Sequence, residues 1–294
     1  MLPAFKNKYD IVFISTFTDM NNIDKLLSTV VKSNNLLSVL FIVLNQTETK
    51  LSFPKSYFVD FVEIITTRIS LSKARNLGIK YLFNYSINTD YVMFPDDDST
   101  FDNQFFLKFK EIVGDGKCNF LIDVYGENSK ELYMKNNLQD GIWVVKNKPK
   151  VAMSVNMLLN FDTIVNVGVF DEKMGVGARY GAGEDSDYFL RCVAYSGAFR
   201  YVKSMWNFHP KYELKHKESR LIDLMKKYKN YGRGEIYLHF KHRLYWDAVQ
   251  LCFSALVGSF VALINFDFKL FLARFYAFFV RTSVILMLVL RISK

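Results

Sequence analysis

Cysteine and proline are both scarce in this 294-residue chain. Cys118, Cys192 and Cys252 are odd in number, widely spaced and without Cys-x-x-Cys spacing, which excludes a disulfide framework and a zinc knuckle and points to a reducing compartment. Five prolines are too few for a flexible linker, and no repeat or low-complexity stretch is present. The opening "MLPAFKNKYDIVFIST" carries charge up to a short apolar run and lacks a small-residue cleavage site, so a signal peptide is not expected and the bulk of the protein is assigned to the cytoplasm.

Net charge is also missing from most of the chain. Residues 1–210 hold 23 Lys+Arg against 23 Asp+Glu, so they offer no basic stripe for nucleic acid. Residues 211–294 hold 15 against 6, which accounts for the whole +9. That basic tail is also the most apolar part of the chain, a pairing that favours an anionic lipid surface over nucleic acid.

What is present reads as an α/β domain followed by a helical tail. "YDIVFISTF" (9–17) and "SVLFIVLN" (38–45) are strand-like runs flanking a helix marked by Ile23, Leu26, Leu27, Val30 and Val31. Strands are also expected at 61–65, at 90–94 and near "FLIDVY". Helices are expected over the stripe Leu71 to Tyr85, from Asn103 to about Val113, and over 183–197 with Gly197 as its end. Nearly continuous apolar strands alternating with helices imply a mostly parallel sheet covered on both faces. Ligands of such sheets bind beyond the carboxyl ends of the strands.

One such end carries Asp96, Asp97 and Asp98. If the chain stays extended, alternate residues point to the same side, so Asp96 and Asp98 converge on one hard cation while Asp97 faces elsewhere. Carboxylate and water oxygens suit Mg²⁺ or Mn²⁺, and these ions complete their shell with substrate phosphates. A nucleotide or sugar diphosphate is the expected ligand. A solvated acidic turn is the plainer explanation of the same three residues.

"SKARNLGIKYL", "DYVMFPDDD" and "GAGEDSDYFLR", in this order and at these separations, resemble the family 2 glycosyltransferases of the GT-A fold over roughly residues 8–210. The tail, with "YKNYGRG" and then apolar helices, is similar to membrane-bound bacterial members that build capsule or O-antigen polysaccharide. The resemblance implies a Rossmann-like GT-A catalytic domain over 1–210 and a membrane-associating helical region over 211–294. It implies that Asp96 and Asp98 form an Asp-x-Asp motif, with Asp98 on the metal and Asp96 reaching metal and donor. Asp97 is assigned to the turn or the donor sugar. Asp185 is implied as general base for the acceptor hydroxyl, with Glu184 orienting the acceptor. Thr16, Phe17, Arg75 and Asn76 are implied to contact the donor nucleotide, and His209 to be a further metal ligand. The family often has an acidic residue after the second strand; here "VLNQTET" leaves Asn45 or Glu48 to replace it, and UDP is the expected donor nucleotide.

The resulting expectation is an inverting, metal-dependent sugar transfer to a lipid-linked glycan or surface polysaccharide, at the cytoplasmic face of a bacterial cell membrane. A homo-oligomer is compatible with it. Two rival readings stay open: a haloacid-dehalogenase-type phosphatase, because "DDDST" satisfies Asp-x-Asp-x-Thr with Asp96 as nucleophile, and a non-catalytic membrane scaffold on a degenerate transferase fold. The Gly-rich run 175–185 is a candidate loop over donor and acceptor.

In the tail, residues 248–266 form an uncharged stretch of 19, near the lower limit for a spanning helix. Arg274 and Arg281 interrupt the next apolar segment, leaving 282–290 as its longest uncharged run. A membrane hairpin with snorkelling arginines and a pair of interfacial helices are both allowed. Lys226, Lys227, Arg233 and Lys241 are candidates for attracting anionic headgroups or a lipid pyrophosphate.

Overall fold

A computed structural model describes residues 6, 8–115, 118–129, 131–134, 138–145, 151–210 and 219–292. The chain divides into two compact units, Met1–Phe170 with Asp185–Lys211, and Asp171–Glu184 with Tyr212–Lys294.

The first unit is built on an eight-stranded sheet. In chain order the strands are β1 (Tyr9–Phe17), β2 (Val39–Asn45), β3 (Val59–Ile65), β4 (Thr89–Met93), β5 (Asn119–Gly126), β6 (Trp143–Val144), β7 (Met157–Asn160) and β8 (Phe199–His209). Their spatial order is β3-β2-β1-β4-β7-β5-β8-β6. The β3-β2-β1-β4 half is parallel, as the unbroken apolar runs predict; all seven residues of β2 are buried. The other half is mixed, because β7 pairs antiparallel with both β4 and β5, and β6 with β8.

Helix α1 (Met20–Ser33) is capped by the Asp19 carboxylate on the Asn21 N–H and buries Ile23, Leu26, Leu27 and Val30. Helix α3 (Asn103–Ile112) starts at Asp102, which accepts from the Phe105 N–H, and drives Phe105, Phe106 and Phe109 into the same apolar cluster as Ile11, Phe13 and Phe17. Helix α2 (Leu71–Asn84) packs on β1 and β2 through Gly78, where a Cβ would lie 2.4 Å from Ile14 Cγ2. Only glycine lets the helix approach this closely. Helices α4 (Phe161–Val167) and α5 (Glu184–Ser196) follow, and Gly197, at φ +85°, stops α5 as expected.

The eleven-residue β8 has no counterpart in the sequence expectation, and its burial pattern explains why. Lys203 and Ser204 are exposed at a bulge that interrupts the inside–outside alternation. Before the bulge Ile122 pairs with Val202; after it Asp123 pairs with Trp206.

In the second unit, the segment 171–184 packs with α6 (Leu221–Lys241), α7 (Tyr245–Ile264) and α8 (Phe268–Ile292). Tyr180 stacks on Tyr237 at 3.9 Å, and Lys241 pairs with Asp171 at 2.8 Å. Ala182 lies so close to α6 that a Cβ on Gly234 would stand 2.2 Å from its carbonyl oxygen. Helices α7 and α8 form a hairpin around a turn at Phe266, φ +57°, with Asp267 accepting from the Leu270 N–H. Both are long and apolar enough, by length and composition, to cross a membrane. Of the two arrangements left open by the residues, the one with snorkelling arginines finds no support: Arg274 donates to the Gly258 carbonyl (2.8 Å) and Arg281 to the Leu251 carbonyl (2.7 Å), so both turn inward onto α7.

Candidate active site

Asp96, Asp97 and Asp98 follow β4, and their convergence has a different cause from strand alternation. The Ser99 N–H donates to the Asp96 carbonyl (3.0 Å), so the triplet folds into a tight turn and is not extended. Just beyond, Thr100 and Phe208 exchange two backbone hydrogen bonds of 2.9 Å, stapling the turn to the end of β8. That staple brings His209 to the aspartates. Its Nε2 lies 3.0 Å from Asp98 Oδ1 and 3.5 Å from Asp96 Oδ2, and ligand atoms of the three residues all fall within 4.8 Å of one another.

The imidazole is oriented from behind. Nδ1 lies 2.9 Å from the Pro210 carbonyl, which can only accept, so Nδ1 carries the proton and Nε2 faces the carboxylates. Burial acts to lower the His209 pKa, but its pairing with Asp96 and Asp98 outweighs this and holds it at about 10. For Asp96, burial acts upward and is overcome by His209 and Arg75, leaving the carboxyl below its usual range. Asp97 is pushed up to about 7, first by burial and then by the negative charge of Asp98 and Asp96. Two carboxylates and one imidazole with a fixed tautomer suit a divalent cation such as Mn²⁺, which accepts mixed nitrogen and oxygen ligands.

Arg75 joins this cluster to Asp185. Its buried guanidinium donates from Nη1 to Asp185 Oδ1 (2.9 Å) and from Nη2 to Asp96 Oδ1 (3.2 Å), and lies 5.4 Å from the centre of the Phe170 ring. Ser154 completes the network: its hydroxyl meets Arg75 Nη2 at 2.6 Å, and its backbone N–H donates to Asp185 Oδ2 at 2.9 Å. Ser154 is absent from the sequence-based candidates because it acts through contacts 31 and 79 residues away in the chain, with no local motif. Glu184, buried, precedes Asp185 at the start of α5.

The remaining candidates are held by contacts of their own. Asn76 is fully buried, with its amide nitrogen on the Phe170 carbonyl (3.0 Å) and its oxygen on the Phe170 N–H (2.8 Å), a buttress beneath Arg75. Phe17 is buried in the core cluster. Thr16 donates to the Leu44 carbonyl and accepts from Gln46 Nε2. Asn45 is fully buried and bonded to Thr47, Thr49 and Glu63, which shapes the turn after β2.

No protein-family model and no curated protein sequence matches the chain. Solved structures do. TarS of S. aureus, residues 1–349, in complex with UDP-GlcNAc superposes with a TM-score of 0.54 at 12% identity, covering 93% of this chain and 89% of that one. Mannosyltransferase PcManGT from Pyrobaculum calidifontis, in complex with GDP-Man and Mn²⁺, gives 0.51 at 11% identity, covering 94% and 86%. This is a GT-A fold. Against a longer TarS chain the TM-score is 0.54 at 11% identity, covering 76% of this chain and 39% of that one. The GT-A fold argues against the rival phosphatase reading, and the triplet follows the fourth strand and not an early one.

Proposed function

We propose that the chain is an inverting, metal-dependent glycosyltransferase that moves a sugar from a nucleotide-diphosphate donor, with UDP as the base to test first, to a hydroxyl of a lipid-linked glycan or surface polysaccharide of the capsule or O-antigen kind. The observation that carries this is the single Arg75 guanidinium shared by Asp96, of the Asp96/Asp98/His209 cluster, and by Asp185. A GT-A fold beneath that geometry supports it.

In this reading Asp96, Asp98 and His209 hold a Mn²⁺ or Mg²⁺ ion. When bound, such an ion neutralises charge on a departing diphosphate. Asp185 takes the proton of the acceptor hydroxyl, whose oxygen forms the new bond to the anomeric carbon as the bond to the nucleotide diphosphate breaks on the opposite face. Arg75 and the Ser154 N–H fix the Asp185 carboxylate, leaving each oxygen a lone pair for that proton. Glu184 orients the acceptor, and Asp97 meets the donor sugar. Residues 1–210 carry the chemistry. Residues 211–294 attach the chain to the cytoplasmic face of the membrane, a role supported by their basic, apolar composition and by two long apolar helices.

The test is thermal protection of the purified full chain by a panel of nucleotide sugars with and without Mn²⁺, followed by turnover on membrane extracts. Asp185→Asn should keep metal-dependent donor protection and lower kcat by about 10²–10⁴. An unresponsive protein across the panel sinks the transferase reading; an active Asp185→Asn sinks the base assignment alone.

A further inference from the structure

Helices α7 and α8 pass a length-and-composition test for membrane spans, yet the helix beside them argues against crossing. Helix α6 runs along α8 in the same direction. Near its start, Lys269 of α8 donates to the Ser219 carbonyl at 2.7 Å. Half-way along, Arg281 lies 3.5 Å from Glu235, and a Cβ on Gly232 would meet the Arg281 side chain at 3.2 Å. Helix α6 contains Asp223, Lys226, Lys227, Lys229, Arg233, Glu235 and Lys241, and Lys226 and Lys229 are exposed. Were α8 to span, α6 would be carried through the hydrocarbon with those charges, each costing about 2.5–3.5 kcal/mol at mid-depth even on the mildest scale.

The outer face of the hairpin has the opposite character. Phe253, Val257, Phe260 and Ile264 on α7 recur at helical spacing and are all more than half exposed, as are Phe268, Phe279 and Leu286 on α8. The charges that would spoil it, Arg274 and Arg281, are tied to α7 carbonyls. Tyr245 and Trp246 stand exposed where α7 begins, a placement typical of aromatic side chains at a headgroup boundary. The net positive charge of 211–294 matches an anionic leaflet.

We infer that α7 and α8 form a monotopic paddle, lying within one leaflet of an anionic membrane with their apolar face in the acyl boundary and α6 on the water side, and that neither helix crosses the bilayer. The inference rests on the membrane attachment proposed above and is independent of the transferase chemistry. It favours lipid over a second copy of the chain because a basic excess beside an apolar face suits anionic headgroups and would repel its own image.

The full chain is added to preformed sealed vesicles of phosphatidylcholine, with or without phosphatidylglycerol. It carries Cys118→Ser and one of Val257→Cys, Phe266→Cys or Phe279→Cys, each labelled with a fluorophore. Flotation should rise with the anionic lipid. Lipids brominated at graded depths should place all three labels at one shallow level, about 5–10 Å below the headgroups. The Phe266→Cys variant, left unlabelled, should not react with an impermeant maleimide sealed in the lumen. Deep labels at positions 257 and 279, with a thiol at position 266 that reacts from the lumen, would overturn the paddle while leaving membrane attachment standing. Failure to float, with sedimentation as a dimer, would overturn both and give the face to a second copy. Quenching of Trp246 in the unmodified chain supplies a control for folding: shallow bromines should quench it most, and its indifference to every brominated lipid counts against the paddle.

Discussion

Arginine is drawn inward in both units of this protein, and its nearest partners differ. In the α/β unit Arg75 lies between carboxylates that need its charge, whereas Arg274 and Arg281 in the helical unit lie against backbone carbonyls, with Glu235 as a more distant anion near Arg281. A guanidinium between two acids acts as a fixed spacer with two geometric demands. A guanidinium on a helix carbonyl mainly satisfies itself, allowing an otherwise apolar face to stay apolar.

The contrast breaks most visibly at Arg75. Arg75→Met should cost about 3 kcal/mol in urea unfolding, the low end for a broken buried pair because Asp96 and Asp185 retain some water contact. It should also lower kcat/KM about 100-fold or more through misplacement of the proposed base, Asp185. Arg75→Lys should rescue stability better than turnover, since one ammonium cannot serve both carboxylates in fork geometry; equal rescue of both would show that charge alone matters.

Next in size is His209. His209→Ala should weaken Mn²⁺ binding at least about tenfold, measured by calorimetry. With His209 at about 10 in the metal-free protein, Mn²⁺ must displace its proton, so affinity should rise with pH through the neutral range and binding should release about one proton, read from buffers of different ionisation enthalpy. The folding linkage has the opposite direction. A histidine pKa raised above its unfolded value gives stability that is complete below about pH 6.5 and is lost as pH rises towards 10, so the metal-free protein should lose that increment on alkalinisation.

Gly234→Ala should follow, at about 1–3 kcal/mol, because the new methyl meets a backbone oxygen that cannot rotate away. Mn²⁺ titration should not move, since none of the three clustered side chains belongs to that unit. Arg274→Met should have the smallest effect, about 1 kcal/mol, the worth of one hydrogen bond to Gly258. A loss as large as that of Arg75→Met would erase the distinction between the two arginine environments.

Elements whose signal is local were legible in the residues alone. The buried runs of β1, β2 and β4, the apolar stripes of α1 and α2, and the acidic start of α5 all follow from short-range pattern. Asp96 and Asp98 were nominated from their own spacing, whereas His209, Arg75 and Asp185 came only from the family resemblance; the five do meet. Elements whose signal is remote were not legible. β7 is four residues long, β8 has its alternation broken at Lys203 and Ser204, and Ser154 joins the site through partners that only the folded sheet brings near. Phe17 is held by core packing and Asn76 by the Phe170 backbone, contacts that no local pattern announces. The turn at Asp96–Ser99 reached the expected convergence by an unexpected route.

The bulge in β8 sets the register of everything beyond it. Three residues, Lys203–Met205, intervene between the pairings Ile122–Val202 and Asp123–Trp206, so His209 and not Trp206 arrives opposite Gly126. Deleting one residue there would leave Asp96, Asp98 and His209 in the chain while disturbing the register that sets His209 opposite Gly126. The proposed cation site therefore depends on a length as much as on its three side chains, and a search for related proteins by residue identity alone would pass over that requirement.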